Sequence, residues 1–302
     1  MFDPADPRAA LSAPSGAPRV GAPVPAECVV LADVEPGRSG GGSPSWYVRG
    51  HNFVTQYTQL RAGDSIERAQ QLDEYLVLLP DPETAARVDT ADGSQDVGGD
   101  TLLIVPPGPS RITALTSGPI TCFYSAASAD LLARCSNAES YLDARPAVAP
   151  FAPWPDPPDG FHLRTYSLAV PDEPGRFGRI WRCTTLMINV LPAQDGPRDP
   201  TKLSPHVHDD FEQGSIGLHG DFVHHLRWPW SSDRTAWRDD EHLHCASPSV
   251  TVIPPTTIHT TEAVGPGSHQ LVDLFSPPRR DFSERPGWVL NADEYPGPDI
   301  SS

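Results

Sequence analysis

Proline is the residue that most constrains how this chain can fold. The 302 residues include 36 prolines and 24 glycines. Proline fixes φ and lacks a backbone N–H, so it interrupts helix interiors, while glycine and proline together favour tight turns. The length suits two domains of moderate size, each able to bury its own core. The composition therefore predicts an all-β chain of short strands joined by turns.

Segments of strand character recur along the chain between clusters of turn residues. Turn sequences such as Gly63-Asp64 and Asp92-Gly93 favour antiparallel hairpins over crossover helices, and a small barrel is the natural result. The predicted strands are 45–48, 53–60, 74–79, 101–105 and 120–125 in the first half, and 165–170, 180–190, 213–218, 222–228, 250–253 and 270–275 in the second.

Changes in composition divide the chain into four parts. Residues 1–44 are dominated by Ala, Pro, Gly and Ser and are predicted to be a flexible arm. The first strand-rich region is 45–126. Residues 127–160 are predicted to hold a short helix, over 127–144, and a proline-rich linker. The second strand-rich region is 161–302.

The charge and the cysteines exclude several classes of protein. A net charge of −17 opposes binding to nucleic acid or to an anionic membrane, and no apolar run reaches the 18 residues of a membrane helix. The first 25 residues lack the pattern of a secretion signal. Five cysteines without a CxxC pair predict reduced thiols and no disulfide. A cytoplasmic protein is therefore expected.

His206-Val207-His208 is the motif with the clearest chemistry. Side chains alternate along a strand, so two histidines separated by one residue face the same side. Glu212 follows four positions later, and His259 comes after a β-branched run and a proline-rich turn. Three imidazoles and one carboxylate suit Fe(II), Ni, Mn, Cu or Zn better than Mg or Ca. Such a site leaves coordination positions open for substrate, water or dioxygen.

This arrangement resembles the two motifs of the cupin superfamily, G(x)5HxH(x)3,4E(x)6G and G(x)5PxG(x)2H(x)3N. His206, His208 and Glu212 match the ligands of the first motif, and Pro254 and His259 match the second. The departures affect turn positions and leave the ligands intact: Pro200 replaces the leading glycine, Gly220 falls one residue late, Thr256 replaces the glycine of PxG and Ala263 replaces the asparagine.

The first half of the chain resembles a divergent copy of the same unit. It keeps Gly63 and the Pro106-x-Gly108 turn, but Ala69, Gln71 and Arg111 stand where the histidines would be. The resemblance therefore implies a bicupin of double-stranded β-helix (jelly-roll) fold, with two small β-barrels in tandem. Its N-terminal cupin, 45–126, would have lost the metal ligands, and its C-terminal cupin, 161–302, would hold the metal. In the first copy, Glu74 and Arg111 are expected to form a salt bridge or to line a pocket.

Further candidates lie in the second half. One of His224 and His225 must face inward on a strand, where it would serve as a general base or as a hydrogen-bond donor to a ligand. Arg227 and Trp230 are predicted to wall the substrate pocket, with a purely structural cover of the barrel end as the alternative. His242 and His244 form a second HxH and are a secondary metal candidate.

Three functions are compatible with these residues. The resemblance favours an Fe(II)-dependent dioxygenase or related oxidoreductase that acts on a small organic acid or aromatic metabolite. The alternative is a non-redox isomerase, lyase or decarboxylase in which the metal is a Lewis acid. The third is a small-molecule-binding protein without catalysis. A homodimer is expected because exposed β edges invite pairing.

Overall fold

The computed structural model describes residues 24–39, 41–230 and 233–298. Within these ranges the chain is almost entirely β-structure, as the sequence predicts. The strands of the first half are β1 Glu27–Val30, β2 Gly37–Arg38, β3 Pro44–Arg49, β4 Phe53–Leu60, β5 Ser65–Gln71, β6 Tyr75–Leu79, β7 Ala85–Thr90, β8 Gly93–Gly98, β9 Thr101–Val105, β10 Gly108–Ala114 and β11 Gly118–Ser125.

The second half begins with a single-turn helix and repeats the same succession of strands. Its elements are α1 Ala129–Leu132, β12 Arg164–Ser167, β13 Ile180–Arg182, β14 Met187–Val190, β15 Gln194–Asp195, β16 Gln213–His219, β17 Asp221–Arg227, β18 Glu241–Ala246, β19 Ser249–Ile253, β20 Ile258–Val264, β21 Ser268–Phe275 and α2 Arg280–Ser283. No helix in the described ranges has the length and hydropathy needed to cross a bilayer.

Each half contains one large and one small antiparallel sheet. In the first half a seven-stranded sheet, ordered β12-β9-β6-β11-β4-β3-β2, accompanies a four-stranded sheet, β5-β10-β7-β8. In the second half the large sheet runs β1-β19-β16-β21-β14-β13, with β15 also on β21, and the small sheet runs β18-β17-β20. This architecture confirms the predicted all-β jelly-roll fold with two barrels in tandem.

The two halves exchange one strand each. Strand β1 pairs with β19 of the second half, with Cys28 opposite Thr251, and β12 pairs with β9 of the first half, with Arg164 opposite Ile104. Strand β1 lies within the segment expected to be a flexible arm. Both exchanged strands extend a large sheet, so backbone hydrogen bonds join the two barrels in both directions.

The exchange also brings two cysteines together. Cys28 on β1 and Cys245 on β18 form a disulfide, with their Cα atoms 6.6 Å apart. The expectation that all five thiols are reduced is wrong for this pair, while Cys122, Cys135 and Cys183 are free and buried. The partners are separated by 217 residues, so their proximity becomes visible only once β1 lies in the second sheet.

The large sheets bury both of their faces. On β6, Leu76 and Leu78 join an apolar cluster shared with the second half, whereas Tyr75, Val77 and Leu79 point into the first barrel. Burial on both faces explains the continuous apolar runs of these strands. Each fully buried leucine contributes roughly 1.5–3 kcal/mol by removal from water, so the shared cluster holds the barrels together strongly.

The interiors of the two barrels differ. The first holds a single large apolar cluster that includes Val54, Ile66, Val88 and Ile112. In the second barrel, the apolar residues form smaller clusters, such as Phe222 with Ala263 and Leu271, and polar side chains occupy much of the remaining interior. The second barrel therefore has room for a site.

The helix expected over 127–144 is much shorter than predicted. Only α1 and a 3-10 turn at Ala138–Tyr141 form there. Between them, the Asn137 side chain accepts a hydrogen bond from the Arg49 backbone N–H and donates one to the Arg49 carbonyl, both at 2.9 Å. An asparagine bonded to another strand's backbone competes with helix continuation, so tertiary contacts end the helix.

Candidate metal centre

Three histidines converge at one end of the second barrel. His206 and His259 form an isolated β-bridge with reciprocal backbone hydrogen bonds of 3.0 and 2.8 Å. Their ring centroids lie 4.3 Å apart, and the His208 ring lies 4.9 Å from each. One nitrogen from each ring lies within 4.8 Å of the others. The structure thus brings together three of the four residues predicted as metal ligands.

Hydrogen bonds set the tautomers of two of these rings. The Nδ1 atoms of His206 and His259 each lie 2.9 Å from a backbone carbonyl oxygen, of Ser204 and Thr257. A carbonyl only accepts, so each Nδ1 carries the proton and each Nε2 keeps a lone pair. Burial, the nearby Arg279 charge and the two other imidazoles hold the pKa of His208 well below its usual value. Neutral imidazole is the form that binds metals.

Glu212, the fourth predicted ligand, points away from the histidines. Its Oε2 accepts hydrogen bonds from the His51 N–H at 2.6 Å and the Tyr141 hydroxyl at 3.3 Å, and Arg145 lies 3.7 Å from Oε1. The carboxylate is buried between the barrels, and burial raises its pKa.

The direction of Glu212 follows from strand alternation. Glu212 immediately precedes β16, and it is separated from Ile216 and Leu218 by an even number of positions along the strand. Those two residues belong to the apolar cluster shared by both barrels. Residues two apart on a strand face the same side, so Glu212 faces the shared cluster and the assignment as a ligand is corrected.

Gln213 occupies the position expected for Glu212. Its Oε1 lies 2.8 Å from His208 Nε2 and 3.3 Å from His259 Nε2. The sequence contained a signal for this residue, because the cupin motif allows either three or four residues between the second histidine and the last ligand. The shorter spacing selects Glu212 and the longer one selects Gln213. The choice between the two depends on which side of β16 faces the barrel interior, and the structure turns Gln213 to that side while Glu212, Ile216 and Leu218 face the shared apolar cluster.

Glu74 is the counterpart of Glu212 in the first half. It directly precedes β6 as Glu212 precedes β16, and it is fully buried. Its carboxylate accepts hydrogen bonds from the Thr184 N–H at 3.1 Å, the Thr184 hydroxyl at 3.0 Å and the Tyr295 hydroxyl at 2.6 Å, with Arg164 at 3.9 Å. In each half, a carboxylate at the contact between barrels thus accepts hydrogen bonds from a backbone N–H and from a tyrosine hydroxyl.

The other predicted partner of Glu74 lies elsewhere. Arg111 is exposed on β10 and forms an ion pair of 3.2 Å with Glu67, so the expected pairing of Glu74 with Arg111 is wrong. Gln71 is buried and its Oε1 accepts from Arg68 Nε at 2.9 Å, whereas Ala69 is exposed. Among the residues that the structure describes, the three histidines of the second barrel are the one group suited to hold a metal.

A cavity of about 430 Å³ adjoins the histidines. Its wall combines the ligand candidates His206 and Gln213 with two charged residues, Arg198 and Asp273. The remaining lining is Phe177, Leu191, Pro192, Ala193, Gln194, Phe222, Thr261, Ala263, His269 and Leu271. A cavity that combines apolar walls with converging polar groups is typical of a small-molecule site.

Of the two adjacent histidines on β17, His224 faces inward. It is buried, its Nδ1 lies 3.0 Å from the Thr261 hydroxyl, and burial together with His259 lowers its pKa to about 3. His225 faces the opposite side, where its ring nitrogens lie 2.7 Å from His242 and 2.9 Å from Glu262. His225 is therefore separated from the cavity by the sheet itself.

The predicted substrate-binding residues lie on the surface. Arg227 is exposed and its Nε donates to the Asp240 carboxylate at 3.0 Å. Trp230 is 77% exposed and stacks on Trp237 with ring centroids 4.6 Å apart. Neither residue belongs to the cavity lining. His244, like His242 of the second HxH, is exposed on β18.

No family model and no curated protein matches this sequence. Solved structures do match. A variant of oxalate decarboxylase from Bacillus subtilis is 16% identical, with a TM-score of 0.56 over 86% of this chain and 81% of its own. An oxalate decarboxylase from Lactobacillus farciminis, in a formate complex, is 15% identical, with a TM-score of 0.53 over 83% of this chain and 86% of its own.

A third match is a Bacillus subtilis oxalate decarboxylase whose Mn(II) centres have been studied. It is 14% identical, with a TM-score of 0.54 over 88% of this chain and 82% of its own. At this level of identity the likeness establishes architecture. The chain shares the fold of these structures, and in this chain that fold is two jelly-roll barrels in tandem.

Proposed function

We propose that this chain is a metal-dependent enzyme that acts on a small carboxylic acid without net oxidation, as a decarboxylase or related lyase. The observation that carries the proposal is the convergence of three imidazole nitrogens and the Gln213 amide oxygen beside the cavity. Three imidazole nitrogens with a single amide oxygen suit a divalent transition metal. Mn(II) is a candidate because a solved oxalate decarboxylase structure of similar fold has Mn(II) centres. The tautomers of His206 and His259 fit this purpose, because each Nε2 keeps a lone pair that can bind an ion.

The neutrality of the four donors supports an anionic substrate. None of His206, His208, His259 and Gln213 carries a negative charge, so a bound dication would keep its full charge for a carboxylate. The ion would supply Lewis-acid polarisation of a carboxylate or carbonyl oxygen. Arg198 adds a positive charge to the cavity wall and is held by the Thr261 carbonyl at 2.9 Å and the Ser204 hydroxyl at 2.8 Å.

Other residues of the cavity would complete the site. Phe222 and Leu271 exclude water from one wall, which strengthens electrostatic interactions inside. His224 lies behind Thr261, so any proton that it exchanges with a substrate would pass through the Thr261 hydroxyl. We further propose a single metal centre per chain, with the first barrel, which holds one large apolar cluster, serving as a structural partner.

The same observations give less support to an Fe(II)-dependent dioxygenase. A metal that rises to a higher oxidation state is stabilised by anionic ligands, and the carboxylate expected for that role, Glu212, lies between the barrels instead. The fold neighbours named as decarboxylases favour the non-redox alternative as well.

The proposal is tested by measuring gas exchange during turnover. The protein is stripped with a chelator, reloaded separately with Mn(II), Fe(II) or Zn(II), and screened against small mono- and dicarboxylic acids, including oxalate. We expect metal-dependent CO2 release without stoichiometric O2 consumption, and loss of both metal and turnover in His208→Ala. Consumption of one O2 per substrate with Fe(II) would establish the dioxygenase. Ligand binding that needs no metal, with no turnover, would establish a binding protein.

A further inference from the structure

The orientation of the Gln213 amide is set by a carboxylate outside the group of metal ligands. Gln213 Nε2 donates a hydrogen bond to Asp273 Oδ1 at 3.0 Å. Only the nitrogen of an amide group donates hydrogen bonds, so the amide nitrogen of Gln213 faces Asp273. The amide oxygen must then face His208 and His259, which is the orientation a metal ligand requires.

Asp273 is itself held in place by the sheet. It lies on β21 between Ser215 of β16 and Asn189 of β14, and it is 7% exposed. The Ser215 hydroxyl donates to the same Oδ1 atom at 3.2 Å. Gln213 and Ser215 are two apart on β16, so both side chains face the barrel interior and meet one carboxylate oxygen. Burying a carboxylate in this way is costly unless hydrogen bonds compensate for it.

We infer that Asp273 is a positioning residue of the metal centre: by accepting the hydrogen bond from Gln213 Nε2, it aims Gln213 Oε1 at the imidazole nitrogens. This inference rests on the proposed metal centre. The donor oxygen thus comes from the neutral amide of Gln213, and the carboxyl group of Asp273 lies one hydrogen bond further from the ion. The ion thereby retains more charge for an anionic substrate than it would beside a direct carboxylate ligand.

Exchanging the amide and the carboxyl group between positions 213 and 273 provides a sharp test. In Asp273→Asn, residue 273 offers both a donor and an acceptor, so the Gln213 amide is no longer restricted to one orientation. Loss of such an outer hydrogen bond typically costs about 10–100-fold in metal affinity. In the double variant Gln213→Glu with Asp273→Asn, the Asn amide donates to the Glu carboxylate and a donor oxygen again faces the histidines.

The measurements are Co(II) affinity by titration calorimetry and the visible Co(II) absorption spectrum of the full-length protein. We expect about 10-fold or greater loss of affinity and an altered spectrum for Asp273→Asn. Recovery to within about 3-fold is expected for the double variant. Ser215→Ala is the matched control, because it removes the other hydrogen bond to the same oxygen, and it should change affinity by less than about 3-fold. Wild-type affinity and spectrum in Asp273→Asn would overturn the inference.

A further measurement does not depend on the folding of any Asp273 variant. In the zinc-loaded wild-type protein, 15N-resolved NMR should show the Gln213 side-chain NH2 group protected from exchange, assigned as the signal that disappears in Gln213→Glu. A rapidly exchanging Gln213 amide would overturn the inference. Failure of the proposed metal centre gives a different result, because wild-type protein would then bind no Co(II), or His208→Ala would bind it equally well.

Discussion

Replacement of Glu212 by alanine should destabilise the protein while leaving metal affinity almost unchanged. The substitution removes the acceptor for the His51 N–H, the Tyr141 hydroxyl and the Arg145 guanidinium. Glu212 is 3% exposed, so these groups lose a buried partner. Breaking a buried ion pair by removing one member costs about 3–5 kcal/mol. At about 2–4 °C per kcal/mol, Tm should fall by at least about 6 °C.

The neighbouring residue provides the control. Gln213→Ala removes an oxygen that faces the histidines and should lower Co(II) affinity by about 10-fold or more, with a smaller effect on Tm. Scanning calorimetry gives Tm for the metal-free proteins, and titration calorimetry at a temperature where both variants are folded gives the affinities. If folded Glu212→Ala loses more than about 10-fold in metal affinity while Gln213→Ala loses none, the assignment of the fourth donor is refuted.

Three further substitutions test the fold and the site. Burial raises the pKa of Glu74 above its ordinary value of 4.5. The contribution of Glu74 to the free energy of unfolding is therefore present in full below pH 4.5, and it is lost as pH rises through the pKa of the folded state. Glu74→Gln should flatten the pH dependence of denaturant unfolding in that window, and an unchanged slope would contradict this. Leu78→Ala in the shared apolar cluster should cost about 2–5 kcal/mol in urea unfolding; a cost below about 1 kcal/mol would show that the cluster contributes little. Arg227→Ala should alter neither Tm nor substrate affinity, because this exposed side chain lies outside the cavity lining. A rise in KM would show instead that Arg227 contacts the substrate.

Most strands of the two large sheets were predictable from sequence, whereas β1, β2, β15 and most strands of the small sheets were not. Strands such as β6 and β9 are buried on both faces and read as continuous apolar runs. In contrast, β5, β8 and β18 are largely polar because one face meets solvent. Their alternation is short and is interrupted by charged residues, so periodicity alone did not separate them from turns.

The three histidines could be predicted as a group because each one is marked by the residues next to it in the sequence. His206 and His208 are two apart, and the proline-rich turn before His259 marks the end of a strand. The inward direction of one member of the His224 and His225 pair followed from alternation as well. Which member faces inward depends on where β17 lies between its neighbours, and that register is a property of the assembled sheet.

The sequence by itself determined the all-β class, the tandem barrels and three of the four donors of the candidate metal centre. Tertiary structure alone decided that β1 joins the second barrel, that Cys28 meets Cys245, and that Glu212 serves the contact between barrels while Gln213 faces the histidines. The physical reason is the same in each case. A one-residue step along a strand reverses the direction of a side chain, and only the packing of the two sheets establishes which direction leads to the cavity.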